Sequence, residues 1–439
     1  MTNNDTFYDI HLHAFTLSHP SFNAFLKRFK IRLFPLAAGA FLSLLLVIPA
    51  LSPRLRSTVM RTVNRLLRRA RNLLSVMESD IGSFFLIIEN CLRERPGRLL
   101  KDSEMTVGGN SYRRIVLTPL MMDFGYKSRH NDPSLHYQPG EKPIVAQVAD
   151  VFNAIRKYRA TATTPDLAKK FSFLADGAER ILEVYPFLGL NTENYDIPHL
   201  ELMLEKYFHD YRRSRAELAA SAGNFDGDIE RLKGNSFTGI KVYPPLGFDP
   251  WPYNPELLSR VNYLYDYCCR KRLPITCHGS RGGFVAVSPG DLQDFTRISK
   301  WASVLAAYPS LKINIAHFPA NGRRFFGLVP PAEQDRLQAI IALVLKYENV
   351  YADFAMRGAS ERYYRNLRFI IDSLPDKKHR EKLTERILFG SDFAINLFSV
   401  DSYNRYIQIF SGTPYLTAEQ KRLFCSVNPE RFLFGETTP

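Results

Sequence analysis

The sequence lacks the cysteine spacings that mark a structural zinc site or a disulfide framework. No two of its cysteines are separated as in a CxxC pair. A scattered, odd-numbered set excludes a zinc ribbon and predicts reduced thiols in a cytoplasmic protein. The opening residues, MTNNDTFYDI, also lack the basic and apolar regions of a secretory signal. The five cysteines are Cys91, Cys268, Cys269, Cys277 and Cys425.

Acidic residues are absent from one long segment. Between Pro20 and Met77 there are eleven lysines and arginines and no aspartate or glutamate. The whole chain has a net charge of +14, so everything outside this segment carries only +3. Because the basicity belongs to one local element, a general phosphate-binding surface is not supported, and we predict no nucleic-acid partner.

The chain also lacks internal repeats and low-complexity linkers. From Tyr112 onward, short apolar runs alternate with helical patterns, which is typical of a parallel α/β fold. The clearest helical patterns are at 255–272, 291–308, 332–347 and 361–374. Eight strands with intervening helices predict one domain over residues 1–439, folded as a (β/α)₈ TIM-like barrel. The predicted strands are 7–15, 113–125, 181–191, 237–245, 273–280, 311–320, 349–355 and 386–394.

A basic, apolar helical insertion over residues 20–105 separates the first two predicted strands. It contains 21 uncharged residues at 33–53 and then, at 54–77, a helical pattern with seven arginines and an apolar face that includes Leu74 and Met77. Two prolines interrupt the apolar run, and a membrane span there would separate the first strand from the rest of the barrel. The excess of positive charge favours contact of residues 20–80 with an anionic membrane surface, as in a peripheral protein of the inner face. The alternative is a lid or an arm that joins subunits of a homo-oligomer.

Histidines end several of the predicted strands. His11 and His13 alternate along the first strand, so both side chains lie on one face. His278 ends the fifth strand, His317 the sixth and Asp392 the eighth. Since the carboxyl ends of barrel strands converge on one mouth, we expect these residues to meet there. Four imidazoles and a carboxylate suit zinc or a similar divalent ion.

Each of these residues has a simpler interpretation when it is considered alone. A single histidine after a strand is commonly a hydrogen-bonded core residue, and Asp392 could cap the following helix. The order of the residues along the barrel favours the metal site. In that site Asp392 would also accept a proton from water.

Other charged residues fall near the same mouth. Lys241 lies in an apolar strand, where an unpaired buried ammonium is costly. Asp123 could bind substrate, orient a ligand histidine or cap a turn. Arg281 could hold an anionic substrate group or be solvated on its loop. Asp353 could line the mouth or form a salt bridge inside the barrel.

Five motifs resemble those of the amidohydrolase superfamily, close to its amidohydrolase-2 branch. They are DIHLHAF, TGIKVYPP, ITCHGS, INIAHFP and ILFGSDF. The closing NPERFLFG also resembles the C-terminal helix of that branch. The resemblance covers residues 1–19 and about 110–436. It implies a metal-dependent enzyme on a TIM-like barrel and is unspecific about the substrate.

For the mononuclear members, the resemblance implies that one zinc ion is bound by His11, His13, His278 and Asp392. It also implies that His317 orients the attacking water or polarises the substrate.

For the binuclear members, the resemblance gives Lys241 a different role. The matching lysine becomes a carbamate that bridges two metals, with His278 and His317 on the second ion. An unmodified Lys241 could instead hold a substrate carboxylate as a point charge. Both one ion and two ions are therefore compatible with the sequence.

These observations predict a hydrolase that acts on an amide, ester or lactone bond of a small molecule. A metal-activated water would attack, Asp392 would take its proton, and His317 would help to stabilise the oxyanion. One alternative is the non-oxidative decarboxylation of an aromatic or enoic acid, which some members of the branch perform. Another is a membrane-associated scaffold without turnover, against which the complete ligand set argues.

Overall fold

The structure is a computed structural model, and part of the chain lies outside its description. Of the predicted apolar run at 33–53, only Pro53 is described. The described residues are 5–16, 53–78, 81–94, 97–124, 144–160, 164–175, 177, 179–232, 234–320 and 331–435.

Eight parallel barrel strands confirm the predicted α/β barrel. Each strand pairs with the next along the chain, and the barrel closes where the Ile10 N–H donates to the Phe389 carbonyl at 3.2 Å. All eight predicted strands are present. They are β1 Thr6–Leu12, β5 Arg114–Pro119, β6 Leu182–Val184 with β7 Phe187–Gly189, β8 Gly239–Val242, β9 Ile275–Cys277, β10 Ile313–Ile315, β11 Val350–Asp353 and β12 Ile387–Leu388.

The third barrel strand is split into β6 and β7 around Pro186. Proline has no N–H to donate, so the hydrogen-bond ladder is interrupted at this residue. Each half pairs with a different neighbouring strand: β6 pairs with β5, and β7 pairs with β8. The bridge between Leu120 and Phe187 joins them into one barrel wall.

Helices surround the barrel. Three predicted helices are present within two residues of their predicted ends, namely 255–272, 332–347 and 361–374. The helix predicted at 291–308 is divided into two helices. The α-helices are α1 Pro53–Glu78, α2 Phe84–Arg93, α3 Ile144–Arg159, α4 Pro165–Lys170, α5 Ser172–Ala175, α6 Ile197–Phe208, α7 Arg215–Gly223, α8 Pro255–Lys271, α9 Pro289–Phe295, α10 Ile298–Ala307, α11 Pro331–Lys346, α12 Glu361–Asp372, α13 Lys377–Thr384, α14 Tyr403–Gly412, α15 Ala418–Arg422 and α16 Asn428–Phe434.

The core has an outer and an inner layer. The outer layer lies between strands and helices, and the inner layer fills the barrel near the start of the strands. Phe432 and Leu433 of α16 are buried in the inner layer beside Tyr8, Ile10 and Leu388. The C-terminal helix therefore closes the end of the barrel at which the strands begin.

The described part of the insertion contains two helices and then a small sheet. The basic pattern at 54–77 forms α1, which the Arg68 and Arg69 guanidinium groups join to Asp401 at 2.9 and 3.1 Å. Within α1, Leu74 was predicted on the apolar face, but it is 39% exposed. The helical assignment of residues 100–105 was also wrong, because they belong to a three-stranded antiparallel sheet. Its strands are β2 Leu100–Lys101, β3 Glu104–Val107 and β4 Asn110–Tyr112.

None of the described helices combines the length and the apolar character that a bilayer span needs.

Candidate metal centre

A β-bulge in β1 directs the two strand-one histidines into the barrel. Asp9 pairs with Leu117 and Leu12 with Pro119, so three steps along β1 match two along β5. Ile10 belongs to the inner core layer, and plain alternation would turn His11 to the opposite face. The extra residue lets His11 follow Ile10 inward, as bulges near functional sites commonly do.

His11, His13 and Asp392 converge at the mouth of the barrel. One ligand atom from each of the three side chains lies within 4.8 Å of the others. The Nε2 atoms of His11 and His13 lie 3.8 and 3.3 Å from Oδ1 of Asp392. All three residues are at least 95% buried. Two nitrogens and an oxygen brought together out of solvent form a ligand set suited to a divalent transition metal.

Hydrogen bonds set the tautomers of the two histidines. His11 Nδ1 donates to Oδ2 of Asp353 at 2.9 Å, and His13 Nδ1 donates to the Leu120 carbonyl at 2.9 Å. In a neutral imidazole this leaves the lone pair on Nε2. The buried Nε2 of His11 has no hydrogen-bond partner among the described residues. An unpartnered lone pair that faces a carboxylate fits a cation between them.

The ionisation states also suit metal binding. Burial lowers the pKa of His13 below its usual value, despite the opposing effect of Asp392. Burial by itself would raise the pKa of Asp392, but its interactions with His13, His11 and His317 lower it. Neutral imidazoles and an ionised carboxylate are the forms that bind a metal ion.

Asp353 accepts hydrogen bonds from two of the site's histidines, His11 and His317. Its Oδ2 accepts from His11 and from Asn314 Nδ2 at 2.7 Å, and its Oδ1 accepts from the backbone N–H groups of His317 and Ala355. Burial opposes ionisation of Asp353, yet its interactions with His11 and His317 lower its pKa. Of the two roles predicted for Asp353, lining the mouth or forming a salt bridge, the structure shows a hydrogen-bonded support for a candidate ligand.

His278 and His317 form a second pair beside the first group. Nε2 of His317 lies 3.0 Å from Nδ1 of His278. His317 Nδ1 donates to the Ala355 carbonyl at 3.0 Å, and His278 Nε2 donates to the Gly282 carbonyl at 2.7 Å. Because carbonyl oxygens only accept, the two facing nitrogens both carry lone pairs when the rings are neutral.

Protonation of this histidine pair is disfavoured by its surroundings. Burial lowers the pKa of His317 to about 3. Burial and the neighbouring His317 and Lys241 hold the pKa of His278 well below its usual value. Two facing lone pairs without a proton create a region that attracts a cation.

The backbone is strained at two of the candidate ligands. His317 has a φ of 64° and Asp392 a φ of 61°. Both values lie in the left-handed region of the backbone, which residues other than glycine rarely adopt. A hydrogen bond offsets the backbone strain at each position. The His317 N–H donates to Asp353, and the Asp392 N–H donates to the His11 carbonyl. Such strain is commonly found at functional sites, where the surrounding structure determines the conformation.

Lys241 lies inside the barrel, as predicted. Its Nζ is buried and has no hydrogen-bond partner among the described residues. It lies 5.6 Å from the ring centroid of Tyr243. Burial lowers the pKa of Lys241 to about 8, so a substantial fraction of the amine is neutral near physiological pH.

The two predicted substrate-binding residues differ in exposure. Arg281 is exposed on the loop between Ser280, which contacts His278, and Gly282. Asp123 is buried and accepts a hydrogen bond from the Asn191 N–H at 3.1 Å. Both residues follow barrel strands at the mouth, and their contact with substrate stays a prediction.

Three residues near the site were not singled out from the sequence. Asp9 accepts from the His11 and Ser391 N–H groups, and burial raises its pKa to about 6. The Tyr243 ring stacks on His278 with centroids 4.1 Å apart. Arg336 is partly buried and donates to the His317 carbonyl at 3.3 Å. Asp9 and Tyr243 lie within the quoted motifs, whereas Arg336 lies in a helix that carries no such signal.

Comparison with known proteins gives a family match. The model of the family described as "Amidohydrolase", in its amidohydrolase-2 form, matches residues 216–435, which is half of the chain. No curated protein sequence matches the chain.

Several solved structures resemble the fold at low identity. A 4-oxalomesaconate hydratase from Rhodopseudomonas palustris has a TM-score of 0.41 and 13% identity, over 97% of this chain and 95% of that one. A 5-carboxyvanillate decarboxylase from Novosphingobium aromaticivorans, complexed with manganese and 4-hydroxy-3-methoxy-5-nitrobenzoic acid, has a TM-score of 0.37 and 10% identity, over 73% and 76%. A probable 2-pyrone-4,6-dicarboxylic acid hydrolase from Acinetobacter baumannii, with citric acid bound, has a TM-score of 0.36 and 13% identity, over 74% and 84%. At such low identity these likenesses say nothing about the reaction of this chain.

Proposed function

The chain belongs to the amidohydrolase family, and from this premise we propose that it is a metal-dependent hydrolase of amide, ester or lactone bonds in small molecules. The observation that carries the proposal is the buried cluster of His11, His13 and Asp392, whose ligand atoms lie within 4.8 Å of one another. Zinc is the proposed ion because imidazole and carboxylate ligands suit it. Manganese is the first alternative to test, since oxygen ligands also suit that ion.

The roles of the residues follow from their hydrogen bonds. His11 and His13 would hold the ion through Nε2, since Nδ1 of each is occupied. Asp392 is ionised and can therefore accept a proton from the attacking water and return it to the leaving group. When bound, the ion would lower the pKa of water and polarise the scissile carbonyl.

A second ion is proposed at the pair formed by His278 and His317. The facing lone pairs of these rings, 3.0 Å apart, support it. Lys241 would complete this site as a carbamate, and its lowered pKa favours the neutral amine that forms one. With a single ion, His317 would instead orient water and Lys241 would hold a substrate carboxylate.

Arg281 and Asp123 are proposed to contact the substrate. Arg281 is exposed beside the loop that holds the His278 ring, where it can reach an anionic group. Decarboxylation of an aromatic or enoic acid is the alternative reaction, because the same ligands and a carboxylate-holding arginine would serve it.

Metal content tests the proposal most directly. The chain is purified without chelators, and its metals are counted in the wild type, in H11A/H13A and in the control H199A/H209A. His199 and His209 are exposed and lie on or next to α6, outside the barrel mouth. We expect about one ion or more per wild-type and control chain, and loss of metal from H11A/H13A. Equal metal content in the three proteins would refute the site.

The reaction class is tested with the metal-loaded protein. Panels of amides, esters, lactones and aromatic acids are assayed, with detection of both the hydrolysed product and released carbon dioxide. Hydrolysis that depends on His11 and His13 supports the proposal, whereas release of carbon dioxide alone assigns the chain to the decarboxylase alternative.

A further inference from the structure

A cationic cavity lies at the end of the barrel opposite the candidate metal centre. Its volume is about 510 Å³. Three segments line it: the connection between α6 and α7, the end of α8 before β9, and the end of α16, which closes this end of the barrel. We call it the basal cavity. The residues that line it include Arg212, Arg213, Arg270, Lys271, Arg272 and Phe434.

Within the described part of the chain, few carboxylates compensate the positive charge of the basal cavity. Arg270 pairs with Asp266 at 2.9 Å, and Lys271 Nζ donates to the His209 carbonyl at 2.7 Å. Among the described residues, Arg212, Arg213 and Arg272 have no carboxylate within 4 Å. Several like charges gathered around one concavity raise the local concentration of anions.

Arg213 is unusually placed for a cation. Its buried Nε has no hydrogen-bond partner in the described part of the chain, and Nη2 makes one long contact of 3.5 Å with the Arg431 carbonyl. Burial and the neighbouring Arg272 lower the pKa of Arg213. A partly buried guanidinium with spare donors beside a second cation fits an anionic ligand that accepts from both.

The backbone holds two of these arginines in a conformation that arginine does not favour. Arg213 has a φ of 56° and Arg272 a φ of 54°. Arg272 ends α8 in the left-handed position where glycine is usual, and the Leu273 N–H bonds back to the Cys268 carbonyl at 2.8 Å. An arginine at a glycine position brings a cation to the cavity at a cost in stability.

We propose that the basal cavity binds a soluble organic phosphate. Three guanidinium groups that have no carboxylate partner among the described residues match the multiple negative charges and acceptor oxygens of a phosphate better than a single carboxylate. The volume exceeds that of one phosphate group, and the half-buried ring of Phe434 offers an apolar wall for an organic part of the ligand. The site is independent of the proposed hydrolase reaction.

Calorimetric titration with pyrophosphate tests the proposal. The full chain is titrated at constant ionic strength, with sodium chloride and sodium sulfate as reference salts. We expect pyrophosphate to bind with a Kd below about 1 mM and to bind at least about tenfold more weakly to R213Q/R272Q. The control R365Q/R405Q, which removes two exposed arginines of α12 and α14, should bind as the wild type does.

A single substitution separates binding from folding. R272G removes one cation and places glycine where the backbone is left-handed, so we expect a higher melting temperature together with weaker pyrophosphate binding. A purely structural Arg272 would give a change in melting temperature alone.

Equal binding of pyrophosphate and sulfate, or unchanged binding in R213Q/R272Q, would overturn the proposal. So would binding to phosphatidate vesicles without any binding of pyrophosphate.

Discussion

Asp353 and His11 are joined by a hydrogen bond of 2.9 Å between Oδ2 and Nδ1, although 342 positions separate them in the sequence. The bond presents Nε2 of His11 to the candidate metal position and selects the tautomer that can bind a metal. In metal sites, a carboxylate in this position also raises the basicity of the histidine. The relationship makes Asp353 a positioning residue.

We predict that D353N weakens metal binding by about 10- to 100-fold, the usual effect of losing such a support. The amide would turn a donor toward His11 or Asn314, both of which already donate to Asp353. Metal affinity is measured by competition with a chelator.

The control for D353N is D249N. Asp249 is another buried carboxylate, and it accepts hydrogen bonds from Lys300 Nζ at 2.7 and 2.8 Å and from the Trp251 N–H at 3.0 Å. Both variants should lose stability, but only D353N should lose metal. Similar metal affinity in D353N and D249N would remove Asp353 from the site.

We predict that D392N lowers turnover by about 10²- to 10⁴-fold, the usual contribution of a positioned proton acceptor. The amide keeps the shape of the side chain but has no affinity for the proton. Rates are measured at saturating metal, so that a change in metal affinity does not mask the effect. Turnover near the wild-type value would transfer the role of proton acceptor to His317 or to another group.

We predict that Lys241 determines the number of bound ions. With bicarbonate present, the wild type should take up two ions per chain, and K241M should take up one, because methionine cannot form a carbamate. If the wild type holds one ion with or without bicarbonate and K241M only raises KM, Lys241 is a substrate anchor instead. Unchanged metal content and kinetics in K241M would contradict both roles.

We predict that the ion pair of Glu183 and Arg215 makes stability depend on pH. Arg215 donates twice to Glu183 at 2.7 and 2.9 Å, between β6 and α7. Burial alone would raise the pKa of Glu183, but hydrogen bonds from Arg215 and Tyr185 and the charge of Arg215 lower it. A carboxyl with a lowered pKa in the folded state contributes stability above its unfolded pKa and loses it as pH falls.

The variant E183Q should therefore cost about 1–3 kcal/mol of unfolding free energy at pH 7 and much less near pH 3. Denaturant unfolding at several pH values measures the difference. The control E217Q removes an exposed glutamate of α7 and should change little at any pH. A difference between E183Q and wild type that does not narrow toward acid pH would contradict the assignment.

Membrane contact of residues 20–80 stays a prediction, because residues 17–52 lie outside the described part of the chain. The described end of that segment, α1, packs on the barrel through Arg68, Arg69 and Asp401. This contact accounts for two of the eleven positive charges. The lid or subunit-arm interpretation also stays a prediction.

The sequence by itself determined the barrel and the residues at its mouth. The eight apolar runs predicted the eight strands because a strand buried on both faces is apolar over most of its length, and β1 is buried at every position. The order of His11, His13, His278, His317 and Asp392 predicted a common mouth, because parallel strands all end on the same side. Local pattern was sufficient for these predictions.

Tertiary structure decided what depends on distance and pairing. The β1 bulge, which turns His11 inward, arises from the register with β5 and is not visible in the alternation of one strand. The support given by Asp353 and the facing nitrogens of His278 and His317 depend on contacts between distant strands. The cations of the basal cavity come from separate helix ends. Such properties belong to pairs of atoms, and only the folded chain brings those atoms together.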